Sequence, residues 1–88
     1  MDRSIETGRA DLATLQKVQD VFRAALDEER LVIDMNTRKI DLKAWDSLAH
    51  VRLISGIESE FDIQFTLAEI EEIASVLQLV DLIQKHLH

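Results

Sequence analysis

The amino-acid sequence predicts an all-α domain, a four-helix bundle with three longer helices, a short third helix and a long first loop. Three observations carry this prediction. Apolar residues recur at three- and four-residue spacing along most of the chain, which is typical of amphipathic helices. Two side-chain capping patterns lie close together near the C-terminus. Finally, 88 residues with 47% hydrophobic content are enough for one small packed core.

The first helix is predicted to follow a flexible tail. Residues 1–10 are polar and lack an apolar period, so we expect a frayed N-terminal tail there and a single domain over residues 11–88. Asp11 or Thr14 is the candidate N-cap, and the helix is expected to end near residues 29–30. Its core-facing stripe is Leu15, Val18, Phe22, Ala25 and Leu26.

Residues 31–46 form the long loop of this prediction, because they show no sustained helical period. A loop of this length in a compact domain is often functional. We expect its apolar side chains to pin it to the bundle: Leu31, Ile33, Met35, Ile40, Leu42 and Trp45. For Trp45, the only tryptophan, packing of the indole is favoured over contact with a partner protein.

The second helix is predicted to begin where this loop meets a new apolar pattern. Asp46 is the expected N-cap, which leaves the Ser47 hydroxyl facing solvent near the positive end of the helix dipole. A phosphate ester on that hydroxyl would lie beside unpaired N–H groups. Gly56 is either a tolerated surface glycine or a point where a neighbouring helix or an acyl chain approaches closely. The predicted core-facing stripe is Leu48, Val51, Ile54, Ile57 and Phe61.

The C-terminal third is predicted to hold an extended connection and two helices. Residues 61–67 alternate like a strand, but one such run cannot build a stable sheet, so an extended connection that buries Ile63 and Phe65 is favoured. Thr66 with Glu69 forms a capping box for the short third helix. The last helix is expected to start with a second capping box, formed by Ser75 and Gln78.

The triplet Asp46-Ser47-Leu48 at a helix start resembles the attachment motif of acyl carrier proteins and of the related peptidyl and aryl carrier domains. The resemblance extends from about Leu15 to the C-terminus. It includes the preceding amphipathic helix and the acidic ending at residues 58–61. The triplet alone is a weak signal, and an ordinary helix cap would explain it equally well, but its surroundings make it more specific.

The resemblance implies a freestanding carrier with 4′-phosphopantetheine on Ser47. A phosphopantetheinyl transferase, using coenzyme A and Mg²⁺, would attach the group, and Asp46 would help position the transferase's metal or donor. The terminal thiol would then hold an acyl or aminoacyl group as a thioester for loading and processing enzymes. Among the partner-binding residues, Leu48 and Val51 would lie partly at the recognition surface and partly in the core.

The charges on the second helix suggest a specialised pathway. Carriers of fatty acid synthesis typically show acids along this helix, whereas its first two turns here offer Ala49, His50 and Arg52. Acids return at Glu58 and Glu60. We therefore expect Arg52 and Glu58 to contact partners, with Arg52 marking a set of enzymes distinct from housekeeping fatty acid synthesis.

Composition argues against several other functions. The net charge of −7 disfavours nucleic acid as a partner, and the absence of cysteine removes disulfides and a thiolate nucleophile. No apolar run reaches membrane-spanning length and no signal-peptide core is visible, so we expect a cytoplasmic monomer without membrane insertion. The histidines at 50, 86 and 88 are too scattered for a convincing metal site.

Enzymatic activity is not expected either. Ser47 and His50 lie one helical turn apart, but nothing in the sequence supplies an oxyanion hole or a substrate cleft for a hydrolase. The remaining alternative is an unmodified helical interaction module, in which the Asp46-Ser47 pair is only a cap and the second helix docks a partner.

Overall fold

The computed structural model describes the backbone of residues 2–87 and the side chains of residues 12–87. It confirms an all-α fold with a short third helix. The four helices are α1 (Asp2–Leu26), α2 (Ser47–Phe61), α3 (Leu67–Glu72) and α4 (Val76–Leu87), with one short 3-10 turn in the long loop at Lys39–Asp41. Within the described backbone, β pairing is limited to an isolated bridge between Arg38 and Ser75.

The core lies between α1, α2 and α4. Fully buried side chains from all three helices form the centre of the bundle, two from α1, two from α2 and three from α4: Val18, Phe22, Leu53, Ile57, Val76, Leu79 and Ile83. Burial of one such aliphatic or aromatic side chain contributes about 1.5–3 kcal/mol. Because α2 contributes to this centre, the core fixes the position of α2 relative to α1 and α4.

α1 differs from the prediction at both ends. It begins at Asp2, within the segment assigned to a tail, and the flexibility of residues 1–10 stays a prediction. It ends at Leu26 because Asp27 adopts a left-handed conformation with φ 56°. The amide of Glu28 then donates to the carbonyl of Arg23 at 2.9 Å, which closes a Schellman-type end before the predicted one.

Backbone hydrogen bonds attach the long loop to the bundle on two sides. The amide of Ile33 donates to the Gln19 side chain on α1 at 2.9 Å. The amide of Lys39 donates to the carbonyl of Ala74 at 2.8 Å, just before α4. Ile33 and Trp45 are buried as predicted, but Ile40 is 83% exposed, so the prediction that it pins the loop is wrong. Main-chain bonds hold the turn that contains it.

The buried face of α2 also differs from the predicted stripe. Leu48 is 60% exposed and Val51 is 65% exposed. Steps of three residues fall about 60° short of a full turn, so a stripe built from such steps spirals around the helix. Alternating steps of three and four keep to one face, and the buried residues follow that pattern: Ala49, His50, Leu53, Ile54 and Ile57.

The predicted caps of α3 and α4 are largely present. Thr66 accepts from the amide of Glu69 at 3.1 Å, and the Glu69 carboxylate accepts from the amide of Thr66 at 2.9 Å, which confirms the first capping box. At α4, Ser75 accepts from the amide of Gln78 at 3.1 Å. The Gln78 side chain, however, accepts from the amide of Ala74 at 2.8 Å, one residue earlier than a capping box requires.

Gly56 lies where α2 crosses α1. A Cβ atom at this position would be 2.6 Å from the Cγ1 atom of Val21, which is far inside van der Waals contact. The alternative of close approach by a neighbouring helix is therefore the one that the structure supports. The side chain that approaches belongs to α1.

Helix propensity alone would raise the free energy of unfolding of Gly56→Ala by about 1 kcal/mol. We expect this gain to be lost, because the added methyl group forces Val21 to move. Larger residues at this position should destabilise the protein by about 1–3 kcal/mol. The double variant Val21→Ala/Gly56→Ala should show strong non-additivity, since it removes the clash. Free energies of unfolding from denaturant titration measure these effects.

Ser55→Ala is the matched control, because Ser55 is exposed on the same helix. A full gain of about 1 kcal/mol for Gly56→Ala, with larger side chains also tolerated, would contradict close packing at this crossing.

The second stability prediction concerns Glu69. The hydrogen bond from the Thr66 amide, followed by that from His86, lowers the pKa of Glu69 below its ordinary value. A carboxylate with a lowered folded-state pKa contributes stability above its unfolded pKa, and that contribution disappears as pH falls through the folded pKa. The wild-type advantage over Glu69→Gln should therefore shrink below about pH 4.

Thermal melts of both proteins between neutral and acidic pH measure this difference. Glu71→Gln is the control, since Glu71 is exposed on the same helix. An advantage over Glu69→Gln that stays constant with pH would show that the charge of Glu69 does not matter.

Candidate functional site

Ser47 is the first residue of α2, and Asp46 fixes that start. Asp46 has extended backbone angles, φ −94° and ψ −171°, as an N-cap requires. Its Oδ1 accepts from the amide of Ala49 at 2.9 Å, and its carbonyl accepts from the amide of His50 at 2.8 Å. The cap predicted from the sequence is present.

The Ser47 hydroxyl is open to reaction. The residue is exposed, and within residues 12–87 its hydroxyl has no hydrogen-bond partner. The backbone amides of Ser47 and Leu48 are likewise unused by any described residue. Two free donors at the positive end of a 15-residue helix favour an anion. A phosphodiester on Ser47 therefore fits the residues present.

Trp45 anchors the chain immediately before the site. Its indole is only 2% exposed and meets the ring of Phe22 edge-on, with 4.9 Å between centroids. Its Nε1–H donates to Nδ1 of His50 at 2.9 Å. This contact confirms that Trp45 packs against the bundle, and it joins the end of the loop to the first turns of α2.

His50 is buried, whereas the sequence placed it with Ala49 on the exposed face of α2, and both of those assignments are wrong. Because an indole N–H can only donate, Nδ1 of His50 must accept, and in the neutral ring Nε2 then carries the proton. Nε2 lies 2.9 Å from the carbonyl oxygen of Ile70 and donates to it. Both ring nitrogens are engaged, so His50 is not available as a base for Ser47.

An apolar surface lies beside Ser47. Leu48 and Val51 project from α2, and Leu67, 71% exposed, projects from α3. Between the two helices is an open groove of about 320 Å³, lined mainly by apolar side chains: Val51, Ile54, Ser55, Glu58, Leu67 and Ile70. An enzyme that reaches Ser47 must approach over or beside this surface.

Arg52 lies on another side of the site. It is exposed and, within the described part of the chain, has no ion-pair partner. It lines a pocket of about 230 Å³ together with the last residues of α1, the loop residues Asp27, Ala44 and Asp46, and the first turn of α2. An unpaired cation therefore lies next to the start of the helix that bears Ser47.

Glu58 has a structural role at the other end of α2. It is half-buried, and its Oε2 accepts from the amide of Phe65 at 2.9 Å, which ties α2 to the connection before α3. The carboxylate also lines the groove between the two helices. The structure therefore leaves Glu58 only partly accessible to a partner.

Other site types find little support in the part of the chain that the structure describes. No group of three or more histidine, cysteine, aspartate or glutamate side chains there could hold a metal ion. His86 pairs instead with Glu69, with 3.0 Å between Nε2 and Oε1. No helix within residues 2–87 combines the length and apolar character needed to span a bilayer.

Sequence reasoning missed the link between Trp45, His50 and Ile70. One signal could have revealed it: His50 shares a three- and four-residue spacing with Leu53, Ile54 and Ile57, which marks the core-facing side. A histidine on a core-facing side needs buried partners. The preceding tryptophan offers an N–H donor, but the carbonyl of Ile70 is distant in sequence and gives no local signal.

Comparison with known proteins identifies the family. A family model described as "Phosphopantetheine attachment site" matches residues 16–83. An acyl carrier protein of Clostridium acetobutylicum is 37% identical over 71 residues, which cover 81% of this chain and 92% of the relative. An acyl carrier protein of Cyanidioschyzon merolae is 35% identical over 72 residues, which cover 82% of this chain and 79% of the relative.

The structural comparison agrees with these matches. The solution NMR structure of holo acyl carrier protein from Geobacter metallireducens is similar with a TM-score of 0.76 and 36% identity, covering 84% of this chain and 85% of that one. The chain therefore belongs to the acyl carrier protein family, whose members carry covalently attached 4′-phosphopantetheine and are carriers rather than enzymes.

Proposed function

We propose that Ser47 bears the 4′-phosphopantetheine and that the protein presents an acyl or aminoacyl group, held as a thioester on that arm, to partner enzymes. The observation that supports this most strongly is the Ser47 hydroxyl, which is exposed and without a partner at a capped helix start with two unused amides. Ser75, the other described serine at the start of a long helix, already uses its hydroxyl to accept from the amide of Gln78.

In the attachment step, this chain supplies the hydroxyl and the transferase brings the donor and the metal. The Ser47 Oγ forms a bond to the phosphorus that carries the pantetheine half of coenzyme A and gives up its proton, while the nucleotide half leaves with the other phosphate. Asp46 uses Oδ1 for the helix cap, and its other oxygen has no partner among residues 12–87. That free oxygen is suited to help position the Mg²⁺ or the donor that the transferase brings.

The partner surface that we propose surrounds Ser47. Leu48 and Val51 are both exposed, so they can be contacted directly rather than being shared with the core. Arg52 adds an unpaired positive charge on one side. Glu58 contributes less than the sequence suggested, because its carboxylate already holds the amide of Phe65.

We also propose that the partners belong to a specialised pathway rather than to housekeeping fatty acid synthesis. This proposal rests on Arg52, because a cation at that position favours partners that present acid and disfavours enzymes that present a basic patch. The nature of the cargo, the cytoplasmic location and the monomeric state stay predictions.

The first functional prediction concerns Ser47. Incubation of the unmodified protein with coenzyme A, Mg²⁺ and a promiscuous phosphopantetheinyl transferase should add the mass of one phosphopantetheine. Ser47→Ala should abolish this gain and change the free energy of unfolding by no more than about 0.5 kcal/mol, because the hydroxyl is exposed and Asp46 keeps the cap. Intact-mass spectrometry and denaturant unfolding measure both effects.

Ser59→Ala is the control, since it removes an exposed hydroxyl from the same helix, away from the groove beside Ser47, and should be modified normally. A mass gain that persists in Ser47→Ala would place the arm on another residue. If the wild type gains nothing with several transferases, the unmodified interaction module becomes the better account.

The second functional prediction concerns Arg52. At low salt, Arg52→Glu should slow loading by the protein's own loading enzyme about tenfold and speed its use by a generic fatty acid elongating enzyme. Both effects should shrink at high salt, because exposed charges are screened. Initial loading rates at both salt concentrations measure this.

Lys85→Glu makes the same charge change on α4, where Lys85 is paired with Asp81, and should leave both rates unchanged. Equal loading of wild type and Arg52→Glu by the protein's own enzyme at low salt would remove Arg52 from the recognition surface.

A further inference from the structure

We propose that His50 is a positioning residue, which holds α3 against the attachment helix and so sets the enzyme-facing surface beside Ser47. This inference rests on the proposed function, because it concerns how the Ser47 site is presented. It assigns a specific role to a buried histidine that contacts neither the arm nor the cargo.

α3 depends on contacts at its ends. It spans only Leu67–Glu72 and contains no buried residue. A helix this short is not stable without outside support. Its support comes from the buried residues that flank it, Phe65 and Ile73, from the partly buried side chain of Ile70, and from hydrogen bonds that reach it from other helices.

Two of those hydrogen bonds come from α2. Glu58 accepts from the amide of Phe65 at 2.9 Å, before α3 begins. His50 donates from Nε2 to the carbonyl of Ile70 at 2.9 Å, inside α3. Among the described residues, the His50 bond is the one that joins a side chain of the attachment helix to the helical part of α3.

The ring of His50 that donates to Ile70 is itself held in place. The ring is 8% exposed, and Trp45 fixes it on the other side through Nδ1 at 2.9 Å. The carbonyl of Ile70 also accepts from the amide of Ile73, but at 3.4 Å, so the bond from His50 is the shorter of its two. The bond from Trp45 occupies Nδ1 and so leaves the Nε2 proton for the carbonyl of Ile70.

The bond from His50 to α3 matters because α3 forms one side of the approach to Ser47. Leu67 on α3 and Val51 on α2 face the same open groove, and both are exposed. If α3 moves, that surface changes shape while the Ser47 hydroxyl and its cap stay in place. An enzyme should then bind the protein less well and still transfer the group at a normal rate once bound.

Two substitutions separate the two bonds of His50. A glutamine amide extends about as far as Nε2, so His50→Gln can still donate to the carbonyl of Ile70 but loses the acceptor for Trp45. Asparagine extends about as far as Nδ1, so His50→Asn can still accept from Trp45 but cannot reach Ile70. Trp45→Phe is the control for loss of the Trp45 bond; it removes the indole N–H together with one ring of the side chain, so exchange of α3 in this variant is compared with that of α1.

The experiment measures amide hydrogen exchange and transfer kinetics on the same proteins. We expect His50→Asn to speed exchange of the α3 amides roughly five- to tenfold relative to those of α1, as loss of one hydrogen bond allows. With coenzyme A and a promiscuous phosphopantetheinyl transferase, KM for this variant should rise severalfold at unchanged kcat. His50→Gln and Trp45→Phe should match the wild type in α3 exchange and in KM.

Each other result overturns the proposal. Wild-type exchange of α3 in His50→Asn would show that His50 does not hold this helix. Acceleration in His50→Gln and Trp45→Phe but not in His50→Asn would assign the effect to the Trp45 bond, and equal acceleration in all three would indicate general loosening of the core. Faster α3 exchange without a change in KM would show that the position of α3 does not affect presentation.

Failure of the proposed function gives a different result. In that case the wild type accepts no phosphopantetheine from any transferase tested, and kinetics cannot be compared. The exchange measurements then still decide whether His50 holds α3, because they need no modification of Ser47.

Discussion

The hydrogen bond from the buried ring of His50 to the carbonyl of Ile70 is the constraint on which, in our proposal, the enzyme-facing surface beside Ser47 depends. Through its two ring nitrogens, His50 joins the end of the long loop, the first turns of α2 and the short α3. The donor-only indole fixes the tautomer of the imidazole, and the imidazole then has its one proton left for the carbonyl of Ile70. Three segments are thus oriented by one buried ring, close to a hydroxyl that is itself free.

In α2, the residues that hold the helix in place and the residues that enzymes can reach are different ones. The cap by Asp46 and the buried face of α2 fix where the helix begins. The exposed side of its first turns then carries Ser47, Leu48, Val51 and Arg52. A carrier needs this separation, because several enzymes must reach one attachment point that does not change its position. The Gly56 crossing serves the same end, since it brings α1 and α2 into close contact behind the site.

Local signals predicted much of this from the sequence. A cap such as Asp46 or the pair Thr66 and Glu69 acts within one turn, so residue types at fixed spacing reveal it. The triplet Asp46-Ser47-Leu48 indicated the family, because it resembles the family's attachment motif. The orientation of α2 was harder, because a stripe with three-residue steps drifts around the helix and misplaced Leu48, Val51 and His50. The partner of His50 on α3 is set by tertiary packing alone, and sequence spacing carries no trace of it.

One NMR measurement tests this account most directly. Nitrogen atoms on either side of an N–H···N hydrogen bond share a measurable scalar coupling, and the protein has a single tryptophan. In ¹⁵N-labelled protein, the account predicts a coupling between Nε1 of Trp45 and Nδ1 of His50, with the His50 proton on Nε2, before and after modification of Ser47. An imidazole that carries its proton on Nδ1, with no coupling to the indole, would contradict the account.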